Sequence, residues 1–339
     1  MNNKLCGMLP DDLQIFLGPH GYDRSHVTKT MLAIYRKRIN HISLIQGIPK
    51  ALKEMLRADF ITGIYPPCKS EKSVDNTIKY LFRNDKDLEF ETVYLPDNKR
   101  KTICVSTQAG CRMGCPFCVT GRYGFRGNLS AGDIINQIIS LPHGDEVSHV
   151  VFMGMGEPMD NIEEVLKACK ILVSDWGLAI SSRNITVSTV GILPGIVEFL
   201  KRSDCNLTLS LHSPFPDERR LVIPAEKKYP AQKIIDIMKS YPLMKKRRFS
   251  IAYVMIMDIN DSDTHLEALK KLLGDSPLRV NLLPYHRVNS DPNSSSSLER
   301  MQFFKHELTI SGISASIRKS RGEDISAACG LLASGLGKK

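Results

Sequence analysis

Six short apolar runs alternate with amphipathic ones through the second two-thirds of this 339-residue chain, and no other feature limits its possible folds as tightly. The runs are TICVS (102–106), HVVFM (149–153), NITVST (184–189), NLTLSL (206–211), FSIAYVMI (249–256) and RVNLLPY (279–285). Each has the length and composition of a buried strand. Between them AGDIINQIIS, NIEEVLKACKILV, ILPGIVEFLKRS, AQKIIDIMKSY and DTHLEALKKLL carry apolar residues at helical spacing. Such alternation means βα repetition and a parallel sheet. Six βα units are too few to close an eight-unit barrel. The expected fold is therefore α/β, a partial TIM-like (β/α)6 barrel, with a flat doubly wound sheet as the alternative. Ser130 followed by Asp133 is a capping box that fixes one helix start, and a further helix is expected near 297–310.

The chain before this block reads differently. DDLQIFL, HVTKTMLAIYRKR and IPKALKEMLR, with Gly and Pro between them, suggest a small N-terminal helical domain over 1–75 that contacts the substrate. Residues 76–100 carry the β-type runs KYLF and FETVYL and form an extension, leaving 101–339 as the barrel core with a C-terminal loop. The apolar runs fall far short of the ~20 residues that a membrane span needs, and MNNKLCGMLPDD lacks a signal-peptide pattern. No membrane association and a cytoplasmic location are expected.

Lys and Arg outnumber Asp and Glu by 46 to 36, for a net charge of +10. The basic residues cluster at Arg36-Lys37-Arg38, Lys99-Arg100-Lys101, Arg219-Arg220, Lys245-Lys246-Arg247-Arg248 and Arg318-Lys319 with Arg321. Any one cluster reads as a solvated face. Their total points to a broad phosphate-contacting surface and a nucleic-acid partner.

Nine cysteines are an odd count for a disulfide framework. Cys111, Cys115 and Cys118 stand at Cys-x3-Cys-x2-Cys spacing just after the first strand of the array, with Cys104 seven residues upstream. They are one ligand short of a closed zinc site, and no His lies nearby to complete one. On a 4Fe–4S cluster, three thiolates leave one iron open, so the missing ligand becomes a functional feature. Other polar residues sit just after strand runs: the Gly-Met-Gly-Glu-Pro segment 154–158, Ser188, Ser210, His212 and Asn281. In a parallel array those strand ends share one rim, so one site there would gather them.

The three cysteines, with Phe117 before the last, resemble the radical S-adenosylmethionine (SAM) enzymes, and Gly156-Glu157-Pro158 looks like their SAM-binding segment. ETVYLP, CVSTQ, MGMGEP, ITVSTVG, SLH, VNLLP and RGEDISAACG, in this order, are similar to the RNA adenine methyltransferases of the RlmN type, with the Cfr type as near relative. The resemblance implies methylation of carbon 2 of an adenine in 23S rRNA, and in many members of tRNA also, with two SAM molecules used per turnover. It implies that Cys111, Cys115 and Cys118 hold the cluster. It further implies that Cys329 carries the methyl group, Cys104 releases the adduct by disulfide formation, and Glu91 accepts the ring proton. Gly156, Glu157, Ser188, Ser210, Leu211, His212 and Asn281 correspond to SAM-binding positions. A flavodoxin or ferredoxin as electron donor and a monomeric state are expected. Ile251-Ala252-Tyr253 departs toward the Cfr type, which acts on carbon 8, whereas Pro158 and RGEDI favour the RlmN type. A zinc-bearing RNA-binding module without catalysis is the alternative of another kind.

Overall fold

The structure, a computed structural model, describes residues 3–97, 100–242, 247–287 and 292–332. Lys99, Lys245 and Lys246 of the basic clusters lie outside them. Ten strands form one sheet in strict chain order: β1 (Lys69–Lys72), β2 (Ile78–Arg83), β3 (Glu89–Pro96), β4 (Lys101–Cys104), β5 (His149–Phe152), β6 (Ile185–Thr189), β7 (Asn206–Ser210), β8 (Phe249–Met255), β9 (Arg279–Pro284) and β10 (Ala315–Ile317). From β4 to β10 every pairing is parallel. From β1 to β4 it is antiparallel, so the segment expected as a separate extension continues the same sheet.

The chain order lets the helices cover one face. After three N-terminal helices, α1 (Pro10–Leu17), α2 (Arg24–Tyr35) and α3 (Lys50–Asp59), and a short α4 (Val119–Tyr123), the crossovers are α5 (Ala131–Ile139), α6 (Ile162–Val173), α7 (Leu193–Arg202), α8 (Pro216–Val222), α9 (Ala231–Ser240), α10 (Asp263–Leu273) and α11 (Leu298–Ile310). Ser130 caps α5 as expected, its Oγ accepting from Asp133 N while the Asp133 carboxylate accepts from Ser130 N. Alternate strand residues under these helices, Ile103, Val150, Phe152, Val187, Leu209, Ile251 and Val280 among them, are at most 1% exposed. Burying each such side chain contributes roughly 1.5–3 kcal/mol.

The sheet must be curled. Gly322 N–H donates to Asp75 Oδ2 at 2.9 Å, and the Asp324 carboxylate accepts from Ser73 Oγ at 2.6 Å and Val74 N at 3.1 Å, in the turn that joins β1 to β2. Gly322 is only five residue steps beyond Ile317, at the end of β10, a reach of at most about 18 Å. Nine strand-to-strand steps across a flat sheet would measure roughly 43 Å. The tail can join the two edges only if the strands wrap into an arc, which selects the partial barrel over the flat sheet.

Several short elements escaped the sequence reading, among them β1, which lies inside the stretch expected to be helical. β10 has three partly exposed residues and no apolar run, α8 spans barely two turns behind Pro216, and α4 is a single turn inside the cysteine loop.

Candidate active site

Register decides which side chains face the hollow. Lys79 pairs with Val93, Val93 with Cys104, Cys104 with Val151 and Val151 with Thr186. Further along, Ser188 pairs with Thr208, Ser210 with Ala252, Ala252 with Asn281 and Asn281 with Ser316. Paired residues share a face and alternate residues return to it. Glu91, Cys104, Ser188, Ser210 and Asn281 therefore all point to the side opposite the helices. Ser188 Oγ lies 3.5 Å from Ser210 Oγ, and Ser316 Oγ donates to Asn281 Oδ1 at 3.0 Å.

The three clustered thiols sit on a loop closed by a small hairpin, Gln108–Gly110 against Phe125–Asn128. Gly110 is required there, because a Cβ at its φ of +74° would fall 1.7 Å from the Gly124 carbonyl oxygen. Cys111 and Cys115 are buried and Cys118 is partly exposed. Burial pushes the Cys111 thiol up to about 12 and Cys115 higher still, with the charge of Cys118 adding to both. Thiols held protonated until a metal displaces the protons are the ordinary state of such a ligand set. Among the described residues no three His, Cys, Asp or Glu side chains converge as a single-ion cage. Three thiols on one loop, within electrostatic reach of one another, fit a larger body such as a 4Fe–4S cluster.

Gly156, at φ +99°, packs its Cα side against Gln108, where a Cβ would lie 2.6 Å from the glutamine Cβ. Gln108 Oε1 accepts from Glu157 N at 3.0 Å, which docks the segment after β5 onto the cysteine hairpin. The buried Glu157 carboxylate is already occupied by the protein. It accepts from Thr189 Oγ1 at 2.6 Å, Val190 N at 2.9 Å and Met159 N at 3.0 Å. Its side chain thus ties the ends of β5 and β6 together.

His212 follows β7 at a left-handed φ of +60°. Val254 N–H donates to its Nδ1 at 3.0 Å, which leaves the proton on Nε2, and burial lowers its pKa to about 3. Its ring meets Phe117, between Cys115 and Cys118, edge-on at a centroid distance of 5.1 Å. Leu211 is buried between these contacts, its carbonyl accepting from Arg219 Nε at 3.1 Å.

Arg219 corrects one expectation. It is no surface cation but a fully buried one, ion-paired to Glu226 and donating to the carbonyls of Val190 at 2.7 Å and Ser210 at 2.8 Å. Arg247 is likewise buried, donating to Cys205 O at 2.8 Å, and Arg36 and Arg38 bind the carbonyls of Gly177 and Leu141. Their neighbours in sequence gave no sign of this, because charge runs carry no information on burial.

Cys329 lies on the C-terminal loop, which is docked on the cysteine loop. Val119 N–H donates to Gly330 O at 2.8 Å and Thr120 Oγ1 to Leu332 O at 3.1 Å. Ala327 and Ala328 are buried while Cys329 is exposed, its thiol pushed up by the crowding protein and by Cys118, and lowered by Arg318. Cys104 is buried and free, its thiol pushed up by burial and next by the charge of Cys329. Glu91 is buried too, with Oε1 3.4 Å from Lys79 Nζ.

The sequence profile of the radical SAM superfamily matches residues 105–273. A probable dual-specificity RNA methyltransferase RlmN of Parabacteroides distasonis is 46% identical over 329 residues, covering 97% of this chain and 96% of the relative. A dual-specificity RNA methyltransferase RlmN of Syntrophotalea carbinolica is 36% identical, covering 95% of this chain and 87% of its own. The crystal structure of a radical SAM methyltransferase from Sphaerobacter thermophilus matches with a TM-score of 0.90 at 34% identity, covering 98% of this chain and 99% of that one. The chain belongs to the RlmN family of radical SAM RNA methyltransferases. Membership in the RlmN family brings a 4Fe–4S cluster and SAM, and it sets aside the non-catalytic zinc module. No helix among the described residues is long and apolar enough to cross a membrane.

Proposed function

We propose that this RlmN-family enzyme methylates carbon 2 of an adenine in 23S rRNA, with tRNA as a second substrate, through a methylated Cys329. The observation that carries the reading is that Cys104 and Glu91 share the interior face of the sheet while Cys104 lies within electrostatic reach of Cys329, whose loop is docked on that of Cys111, Cys115 and Cys118. Adenine carbon 2 is an electron-poor amidine carbon, so direct displacement on SAM by that carbon is not available to it. The cluster and SAM, bound by the three cysteines, supply a methyl group and one-electron chemistry, with two SAM used per turnover and a flavodoxin or ferredoxin as electron source.

The chain's own residues do the rest. Cys329 Sγ takes the methyl group and presents its carbon to the ring from a loop pinned at Gly330 and Leu332. Glu91 takes the proton that leaves carbon 2. Cys104 gives up its thiol proton and its Sγ bonds to Cys329 Sγ as the bond from that sulfur to the methylene carbon breaks; the electron pair left on that carbon takes a proton from solvent to complete the methyl group, which frees the RNA and leaves a disulfide for thiol reductants to reset. Gly156, Glu157, Ser188, Ser210, Leu211, His212 and Asn281 line or brace the SAM site. The helical residues 1–75 act as an accessory RNA-contacting unit, and the enzyme works as a monomer in the cytoplasm.

Carbon 8 is the second reading, because Ala252 leaves no acidic side chain between Ser210 and Asn281 on the interior face. Mass spectrometry of rRNA and tRNA nucleosides from cells with and without the gene tests both. Loss of 2-methyladenosine on deletion supports the first, and loss of 8-methyladenosine supports the second.

A further inference from the structure

Lys79 is a charged group at the hollow that this reaction leaves without a task. Lys79 on β2 is 7% exposed and shares the interior face with Glu91 and Cys104. Its ammonium stands 3.4 Å from Glu91 Oε1 and 3.5 Å from Glu71 Oε2 on β1. Glu71 is half-buried and pairs in turn with exposed Lys69 at 2.6 Å. A row of alternating charges thus runs from solvent to the innermost carboxylate. An ammonium this deep is costly to keep unless paired, and breaking such a pair strands a buried charge.

We propose that Lys79 is a positioning residue for Glu91: it holds the carboxylate as an anion and turned toward the hollow until the ring proton arrives. The inference rests on Glu91 being the proton acceptor. When the carbon 2–hydrogen bond breaks, its electron pair stays with the ring and its proton goes to a Glu91 oxygen. Glu91 passes from −1 to neutral, Lys79 remains an ammonium, and Glu71 balances it. The second carboxylate is what allows the inner one to be neutralised without leaving a bare cation in the fold.

Two further contacts of Glu91 are made by its backbone. Its N–H meets Met155 Sδ at 3.3 Å and its carbonyl accepts from Ser106 Oγ at 2.5 Å. The titratable groups that face it include Lys79 from β2, Lys69 and Glu71 from β1, and the Cys104 thiol from β4. Removing the Lys79 charge should let Glu91 bind a proton at higher pH, because a favourable positive charge is then gone from beside the buried carboxylate.

The test uses the full-length enzyme with wild type, Lys79→Met, Lys79→Arg, Glu71→Gln and Glu91→Gln. An infrared pH titration reads the Glu91 carboxyl band, identified by its loss in Glu91→Gln, and RNA methylation is followed over the same pH range. In Lys79→Met the band midpoint and the acid limb of the rate profile should move up together by at least about one pH unit, with about tenfold lower rate below the new midpoint. Lys79→Arg should keep the wild-type midpoint, and Glu71→Gln, which removes the like charge that shares Lys79 with Glu91, should move it down, and by less. Unmoved midpoints in Lys79→Met, or in Glu71→Gln should Lys79→Met not fold, would show that Lys79 only staples β1 to β3. Full activity in Glu91→Gln would instead remove Glu91 as proton acceptor, whatever the band does.

Discussion

Val119 gives its backbone N–H to the Gly330 carbonyl at 2.8 Å, so the loop that bears the three clustered thiols and the loop that bears Cys329 form one hydrogen-bonded unit. The buried Thr120 hydroxyl reinforces it through Leu332 O at 3.1 Å. Thr120→Val keeps the shape but leaves that carbonyl without its donor, at a cost of about 1–2 kcal/mol. Amide exchange across 328–332 should quicken about tenfold while the sheet is unchanged, as read by hydrogen–deuterium exchange.

Cys104 faces the same hollow as Cys329 and feels its charge. In the proposed reaction the methylene-linked adduct leaves Cys329 only through this second sulfur. Cys104→Ala should accumulate protein crosslinked to RNA, with peptide mapping placing the link at Cys329. Free methylated RNA at normal yield from that variant would end the assignment.

Burial lifts the Glu157 carboxyl from 4.5 to about 7, against three hydrogen bonds that favour its anion. A native group that holds its proton more tightly than the unfolded chain does stabilises the fold at low pH. That contribution is whole below about 4.5 and is lost as the pH rises through about 7. Unfolding free energy of cluster-free protein should fall across this window by on the order of 3 kcal/mol. Urea denaturation of Glu157→Gln over the same pH range should lack that slope.

His212 holds Phe117 at the cysteine loop by its ring edge, and its left-handed backbone suits Asn better than most replacements. His212→Asn should lose the aromatic contact, worth about 1 kcal/mol, and surrender iron to a chelator about fivefold faster. Since burial lowers the imidazole to about 3, the wild-type rate of iron loss should show no step from His212 between roughly pH 5 and 8.

The alternation of strands and helices was legible because each β strand from β4 to β9 buries a continuous apolar stripe beneath a helix, and burial leaves a pattern. The parallel order, the open arc and the shared rim follow from that pattern together with chain connectivity. The roles of Lys79 and Arg219 were illegible for the opposite reason. Each is a cation whose immediate neighbours in sequence are ordinary, and each gains its partners only on folding: Lys79 from β1 and β3, Arg219 from Glu226 and the ends of β6 and β7. Glu157 was found by its motif, yet the motif could not tell that its carboxylate is turned inward to Thr189 and Val190.

Because the ten strands pair in the order of synthesis, almost every part of the wall can be laid down against the part just made. The ties made by the C-terminal tail are exceptions, that from Asp75 to Gly322 spanning 247 residues. The cysteine loop is therefore translated and housed long before Cys329 emerges. In the proposed reaction the sulfur that carries the methyl group is thus delivered to a wall already laid, and a chain ending before Cys329 would hold the loop of three thiols while lacking that one atom.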